Sequence, residues 1–271
     1  MKGFPYPGAS EDSAVKSNDH RKVMIEFQAL EKTFRTSKGE VHAIEDLNIK
    51  IFDKEFVSVV GPSGCGKTTL LKITSGLLPR TAGGVAVNGS PVDGPAKQIG
   101  MVFQNPVLLK WRTVLDNILL PIEILKLPRR SYQEKAMELI KLVDLIGFEN
   151  FLPSELSGGM QQRVSLCRAL ITDPPILLMD EPFGSLDALT RDDMNLELQR
   201  IWQTKKKTVL FITHSIPEAV FLSDRVVVLS PRPSKVVLTV DVNFKRPREP
   251  SDKYEKEFGR LCTLLRSAIK K

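Results

Sequence analysis

Apolar residues recur along the chain in short runs that predict β-strands alternating with helices. Two stretches, 23–29 and 41–60, alternate polar residues with Val, Ile and Phe, which is typical of strands. Three further apolar runs predict buried strands: ILLMD (176–180), TVLFITH (208–214) and RVVVLS (225–230). A helical pattern spans 187–204, between the first two of these runs. Short apolar strands separated by helices predict a parallel sheet with helical crossovers.

A second region, about residues 105–160, is mainly helical in pattern and predicts a separate helical lobe. Within it, residues 131–146 form an amphipathic helix whose apolar face comprises Ala136, Leu139, Ile140, Val143 and Ile146. Ser131 and Glu134 have the spacing of a capping box, which predicts that the helix begins there.

The two ends of the chain differ in composition from its middle. Residues 1–22 carry two prolines and no apolar h-region, so we expect a disordered tail rather than a secretory signal. Residues 23–233 are expected to form the main domain. Residues 234–271 are expected to form a basic extension, with a strand (KVVLTV), a basic link (KRPREP) and an amphipathic helix near 253–269.

Net charge and cysteine content bear on which partners the chain could bind and which compartment it occupies. The net charge is +7, and the segment from Pro231 onward holds eleven Lys/Arg against five Asp/Glu. Such a segment suits nucleic acid, anionic lipid or a solvated surface, and charge alone does not separate these. No apolar run approaches the roughly 18–20 residues that cross a bilayer. The three scattered cysteines favour a reducing compartment over a disulfide scaffold.

A glycine-rich segment, GPSGCGKTT at 61–69, predicts a phosphate-binding loop. It fits G-x-x-x-x-G-K-[ST], and it lies between a strand-like run and a helical run, which is the context this motif requires. Glycines let successive N–H groups converge on a phosphate, and the following helix adds its positive end. Lys67 is expected to span the β- and γ-phosphates of ATP, and the Thr68 hydroxyl to bind Mg²⁺. The predicted nucleotide contacts in this loop are Gly61, Pro62, Ser63, Gly64, Cys65, Gly66, Lys67, Thr68 and Thr69. Alkylation of Cys65 is expected to block the site, with ATP protecting.

Two adjacent carboxylates end the run ILLMD. Asp180 at the end of a buried strand would lie beside the phosphate loop, where it can hold Mg²⁺. Glu181 would then polarise an attacking water as general base. The alternative is that either carboxylate only caps a helix, and a nearby phosphate loop weakens that alternative for the pair.

Residues 156–163, LSGGMQQR, lie between these two motifs, and with them the chain resembles ATP-binding-cassette (ABC) ATPases over about residues 23–230. Further motifs follow in the family's order: Gln104 in VFQNP, Ser185-Leu186-Asp187, and His214 in FITHS. The resemblance implies an α/β fold with a P-loop NTPase (RecA-like) core, an N-terminal antiparallel β subdomain and an α-helical subdomain. It also implies ATP and Mg²⁺ as ligands.

The resemblance implies that Ser157, Gly158 and Gly159 begin a helix whose tip contacts the γ-phosphate held by the opposite subunit. A helix start offers exposed N–H groups and a positive dipole end, so this tip suits an anion. Two copies related head to tail would thus enclose two ATP molecules. Asp187 would shape the contact between the copies.

The resemblance assigns three further roles. His214 would hydrogen-bond the γ-phosphate and hold Glu181 in register. Gln104 would sense the γ-phosphate or ligate Mg²⁺, the alternative being a solvent-facing amide. Phe34 would stack on adenine, the alternative being core packing.

Three segments resemble importer ATPases for nitrate, sulfonates and taurine: VFQNPVLLKWRTVLDNILLP, LLMDEPFGSLDALTRDDMNLELQRIW and VDVNFKRPRE. Lys110 departs from the proline common there. The implied partners are a second copy, integral-membrane permease subunits and a periplasmic or lipoprotein solute-binding protein, with no nucleic acid. The implied location is the cytoplasmic face of the inner membrane. Val107, Leu108, Leu109 and Trp111 would receive a permease helix or form core of the helical lobe.

Three alternatives remain. The ATPase of an exporter or lipoprotein-extraction complex shares the same motifs. A soluble ABC protein acting on DNA or ribosomes usually has a long coiled-coil insertion or two fused cassettes, and this sequence has neither. An inactive nucleotide-binding regulator is disfavoured because Lys67, Glu181 and His214 are all present.

Overall fold

A computed structural model describes residues 21–37, 39–96 and 98–270. The prediction of a disordered tail falls almost wholly outside these residues. The division into a main domain and a basic extension stays a prediction.

An antiparallel sheet forms the N-terminal part of the fold. Strands β1 (Val23–Thr36) and β2 (Gly39–Phe52) pair along most of their length, and β4 (Ala82–Val87) pairs with the other edge of β1. The short β5 (Ser90–Pro91) completes the order β2-β1-β4-β5. The expected antiparallel β subdomain is confirmed.

The central sheet carries the strands predicted from the apolar runs. Its order is β10-β9-β3-β8-β7-β6, and every neighbouring pair is parallel except β9 with β10. The strands are β3 (Phe56–Val60), β6 (Ile99–Val102), β7 (Ile176–Asp180), β8 (Thr208–Ile212), β9 (Arg225–Leu229) and β10 (Val236–Asp241). Strands covered on both faces need no polar alternation, which explains the continuous apolar runs.

The sheet separates two apolar cores. On β3, Val57 and Val59 face a core shared with the antiparallel sheet, whereas Phe56 and Val60 face the opposite core. Helix α1 (Lys67–Thr74) packs in the first core. The other helices contribute to the second core: α2 (Val114–Ile124), α3 (Arg130–Leu142), α4 (Gly158–Leu170), α5 (Ala188–Lys205), α6 (Ile216–Leu222) and α7 (Lys256–Ile269).

Helix α3 corrects two predictions. The capping box is wrong, because the helix begins at Arg130 and the backbone N–H of Ser131 already donates to the Pro128 carbonyl. Ile146 is wrong as a core residue, since it is 61% exposed. The helix ends at Leu142, and Asp144 then adopts a left-handed φ of 53°, which turns the chain before Ile146.

The C-terminal segment packs onto the second core. Helix α7 buries Phe258, Leu261 and Leu265 there. The Arg248 side chain, 1% exposed, donates from Nη1 to the carbonyls of Val220 and Phe221 at 2.9 Å each. Burial lowers the pKa of Arg248 to about 10, so its guanidinium stays charged at neutral pH.

Candidate active site

The phosphate-loop segment turns sharply between β3 and α1. Gly64 and Gly66 have φ of +74° and +109°, a region that L side chains avoid. A Cβ on Gly61 would lie 2.9 Å from the Leu229 carbonyl oxygen, so the loop starts in close contact with β9. The two glycine conformations and this close approach explain why the motif requires glycine.

The Lys67 side chain folds back over the loop. Its Nζ donates to the carbonyl oxygens of Gly61 and Pro62, both at 3.0 Å, and the residue is only 6% exposed. The loop therefore holds its ammonium group inside the concave surface that the backbone forms.

Thr68 and Asp180 meet at the carboxyl edge of the sheet. The Thr68 hydroxyl donates to Asp180 Oδ1 at 3.0 Å, joining the first turn of α1 to the end of β7. Burial raises the pKa of Asp180, and the hydrogen bond from Thr68 opposes that rise. A hydroxyl and a carboxylate oxygen at this separation are hard oxygen ligands of the kind that Mg²⁺ takes. The described residues contain no cluster of three His, Cys, Asp or Glu side chains, so a cation here would need further oxygens from nucleotide or water.

Glu181 and His214 form a contacting pair. Glu181 adopts a left-handed φ of 44°, and its N–H donates to the Ile212 carbonyl at 2.8 Å. Its Oε2 lies 3.1 Å from His214 Nδ1. Because β7 and β8 are parallel neighbours, their ends bring these two side chains to the same edge. The observed hydrogen bond supports more than an incidental capping role.

One cavity of about 570 Å³ is lined by Lys67, Thr68, Glu181 and His214, and Asp180 is not part of its lining. The lining residues that the sequence predicted are Phe34, Ser63, Gly64, Gly66, Lys67, Thr68, Thr69, Glu181 and His214. Two others, Ala43 and Arg232, were not predicted. The SPRPS segment after the run RVVVLS was an available signal for Arg232, because the loop after a parallel strand lies at the functional edge of such a sheet.

The Cys65 side chain does not line this cavity. Cys65 is 1% exposed and packs in the core beneath the loop, and burial raises the pKa of its thiol. Any contribution of this residue to ligand binding comes from its backbone. Alkylation is therefore expected to be slow, and a buried thiol gives no reason to expect the protection by ATP that the sequence predicted.

Gln104 and the LSGG segment lie outside this cavity of the same chain. A Cβ on Gly184 would be 3.3 Å from Gln104 Nε2 and 3.7 Å from Glu181 Oε2, so the Gln104 amide lies close to the Glu181 carboxylate. Ser157 is the N-cap of α4 and accepts a hydrogen bond from the Met160 N–H at 3.3 Å.

Gly158 and Gly159 of the LSGG segment lie close to the start of α5, where Asp187 is the N-cap. Asp187 caps that helix by accepting from the Thr190 N–H at 3.1 Å and from the Thr190 hydroxyl at 2.7 Å. These bonds, led by the hydroxyl, lower the pKa of Asp187. A Cβ on Gly159 would lie 2.9 Å from Thr190 Cγ2, and one on Gly158 would lie 3.5 Å from Leu186 Cδ2. A side chain at Gly159 would therefore have to displace Thr190, whereas the distance at Gly158 is an ordinary van der Waals contact.

Comparisons with known proteins identify the family of this chain. The family described as ABC transporter matches residues 44–184. An uncharacterized ABC transporter ATP-binding protein of Methanocaldococcus jannaschii is 48% identical over 88% of this chain and 90% of its own length. The taurine import ATP-binding protein of Pelagibacter ubique is 47% identical over 77% and 79%. The nitrate import ATP-binding protein of Synechococcus elongatus is 42% identical over 83% of each chain.

Two solved structures share the fold. The dimeric structure of a bacterial ABC transporter cassette has a TM-score of 0.71 and 32% identity, covering 82% of this chain and all of that one. A dimeric post-hydrolysis state of an ATP-binding cassette with ADP and phosphate has a TM-score of 0.71 and 31% identity, with the same coverage. With the phosphate loop, the adjacent carboxylates Asp180 and Glu181 and His214 at one edge of the sheet, the chain belongs to the ABC transporter family and is one of its ATPases.

Proposed function

We propose that this chain hydrolyses ATP to power uptake of a small nutrient of the nitrate, sulfonate or taurine type through separate permease subunits. The observation that carries the proposal is the single cavity into which Lys67, Thr68, Glu181 and His214 converge. The taurine and nitrate import proteins support the direction of transport and the class of solute, since they match over most of this chain.

The loop and Lys67 would bind the triphosphate. Converging backbone N–H groups and the N-terminal end of α1 favour phosphate oxygens. Lys67 Nζ donates to two uncharged carbonyl oxygens, and an anionic phosphate would be a stronger acceptor. Phe34 lines the same cavity and would cover the adenine.

Glu181 would take the proton from the attacking water. Its carboxylate faces the cavity and is oriented by His214 Nδ1 at 3.1 Å. The other side of that imidazole would reach the γ-phosphate. Thr68 and Asp180 would hold Mg²⁺, which would neutralise phosphate charge, and Gln104 would join them from beside Gly184.

A second copy would complete the site. The helix tip formed by Ser157, Gly158 and Gly159 is absent from the lining of the cavity in its own chain, although its N–H groups and dipole suit a phosphate. A head-to-tail dimer would place this tip on the partner's γ-phosphate, with Asp187 at the contact. The dimeric relatives of the same fold support this arrangement.

An apolar surface on the helical region would receive the permease. A cavity of about 440 Å³ lies between β6, α2 and α4, and its lining includes Val107, Ile124 and Leu125. Ile124 is 69% exposed and Trp111 is 75% exposed. Leu108 packs against the core, so it fits the alternative of core packing, whereas the exposed Trp111 fits the alternative of a permease contact. No helix among the described residues is long and apolar enough to span a bilayer. The similarity to import ATP-binding proteins supports a membrane path in separate permease subunits, which this chain would bind at the cytoplasmic face.

The test is Glu181→Gln, assayed in the reconstituted complex. Loss of the base is expected to reduce ATP turnover of the complex at least about 100-fold. In the separately purified chain it is expected to accumulate an ATP-bound dimer, measured by size-exclusion chromatography with light scattering. Glu138→Gln on the exposed face of α3 is the matched control and should turn over like the wild type. Turnover by Glu181→Gln within tenfold of wild type would remove Glu181 from this role.

The partners are tested by co-purification. Isolation of the intact complex from native membranes should recover permease subunits and a solute-binding protein. Recovery of a permease without any solute-binding protein would favour export instead.

A further inference from the structure

The loop from Ser230 to Ser234, which connects β9 to β10, runs alongside the phosphate loop. At one end, Leu229 touches the start of the phosphate loop, its carbonyl oxygen lying 2.9 Å from a Cβ built on Gly61. At the other end, Ser234 Oγ lies 3.3 Å from a Cβ built on Gly66. Between them, Arg232 Nη2 lies 3.4 Å from a Cβ built on Gly64. The three contacts occur in the same order along both segments, so the two segments run side by side.

This loop is held in place at both ends. The Ser234 N–H and hydroxyl donate to the Ala43 carbonyl at 3.1 and 3.0 Å. The Ser230 hydroxyl accepts from the Lys235 N–H at 3.0 Å. Prolines on both sides of Arg232 restrict the backbone further. The position of the Arg232 Cα is therefore fixed relative to the phosphate loop.

The Arg232 guanidinium itself makes no hydrogen bond or ion pair with any residue in the described part of the chain. It lines the nucleotide cavity and is exposed to solvent. A planar guanidinium prefers bidentate phosphate or carboxylate partners. No carboxylate is paired with it across this cavity, so the anion that suits it is the ligand of the phosphate loop.

We propose that Arg232 is a nucleotide-binding residue that contacts the phosphate chain of ATP and ADP over Gly64, opposite Lys67. The proposal rests on the proposed function, since it takes the nucleotide to occupy this cavity. A guanidinium over the middle of the loop would contact phosphates that remain after hydrolysis, so it would bind both nucleotides rather than distinguish them.

The test is equilibrium titration of the purified chain with ATP and with ADP, in EDTA to prevent hydrolysis. Arg232→Ala is expected to weaken both nucleotides by about tenfold or more, the effect of losing one charge-assisted hydrogen bond. The affinity of Arg232→Lys should lie between those of Arg232→Ala and wild type, because lysine keeps the charge but lacks the paired N–H donors of the planar guanidinium. Lys235→Ala removes the same charge three residues away at an exposed ion pair with Glu45, and it should bind like wild type.

The salt dependence of binding distinguishes a contact of Arg232 with phosphate from stacking of Arg232 on the nucleoside. Raising KCl from about 0.05 to about 0.5 M should narrow the gap between wild type and Arg232→Ala, because mobile ions screen a solvent-accessible charge contact. Equal affinities of Arg232→Ala and wild type at low salt, or a gap that salt leaves unchanged, would overturn the proposal. If Arg232→Ala does not fold by circular dichroism, Arg232→Gln takes its place with the same expected loss. Failure of wild type to bind ATP would instead defeat the proposed function.

Discussion

Replacing Arg248 by methionine is expected to destabilise the whole fold, although the residue lies outside the nucleotide motifs. Its guanidinium donates to the carbonyls of Val220 and Phe221 at the end of α6 and to that of Val242 at 3.2 Å. Its backbone also exchanges two hydrogen bonds with the Gln199 amide, at 2.7 and 2.8 Å. Methionine keeps the apolar stem and the backbone bonds but removes all three side-chain donors.

The magnitude follows from the number of bonds lost. A hydrogen bond from a charged donor contributes about 1.5–3 kcal/mol net, so three give at least about 4.5 kcal/mol. Burial of the charge opposes this, and Arg248 Nε is buried without a partner among the described residues. Allowing about 1.5 kcal/mol for that unmade bond leaves a net loss of about 3 kcal/mol. At about 2–4 °C per kcal/mol for a chain of this size, Tm should fall by roughly 6–12 °C.

The assay is thermal unfolding followed by circular dichroism. Arg248→Ala should lower Tm further than Arg248→Met, because it also removes the packing of the stem. Arg260→Ala is the control, since Arg260 lies on the exposed side of α7 and, among the described residues, pairs only with Glu257 one turn away. Its Tm should match that of wild type. If Arg248→Met unfolds within about 2 °C of wild type, these hydrogen bonds do not hold the C-terminal segment onto the core, and the expected loss of about 3 kcal/mol is refuted.

Two further predictions follow from buried groups near the site. Cys65 should react slowly with iodoacetamide, at similar rates with and without MgATP, because its thiol is buried and its pKa is raised; rapid labelling that ATP blocks would contradict the placement. Glu218 is buried beside His214 and accepts from the Thr213 hydroxyl, and burial raises its pKa. A raised carboxyl pKa means stability that is fully present below the unfolded pKa and lost as pH rises through the folded pKa. Glu218→Gln keeps an acceptor for Thr213. The Tm of this variant should therefore fall less than that of wild type between pH 4 and pH 8, and parallel plots of Tm against pH for the two proteins would refute this.

The sequence predicted the central strands well because their burial leaves little ambiguity. Strand β7 has the predicted limits, and β8 and β9 end within two residues of theirs. The end of α3 was missed because the apolar spacing continues to Ile146, while the left-handed turn at Asp144 ends the helix. Periodicity carries no information about such a turn when the residue is not glycine.

The site residues that lie within one contiguous motif were predicted from the sequence. Those that reach the site only through tertiary contacts were missed. The phosphate loop fixes the backbone around Gly64 and Gly66, so its motif alone identified it. Arg232 reaches the same cavity from a loop about 170 residues later, and only the parallel pairing of β3 with β9 brings it there. The direction of the Cys65 side chain was missed for a related reason, because a motif specifies which backbone atoms converge and not which face of the loop a variable side chain occupies.

The segment that follows Glu181 gives a physical reason why hydrolysis at one site would affect the dimer contact. Glu181 contacts His214 at one end of the segment, and at the other end Asp187 caps α5 by binding Thr190. The Thr190 methyl in turn packs so closely against Gly159 that a Cβ there would have to displace it. If the helix tip at Gly159 grips the partner's nucleotide as proposed, a shift of Glu181 on loss of the γ-phosphate would be transmitted within six residues to the cap of α5 and so to that tip. Tightly packed contacts respond by discrete displacement rather than by gradual deformation, so the two sites of the dimer are expected to open together.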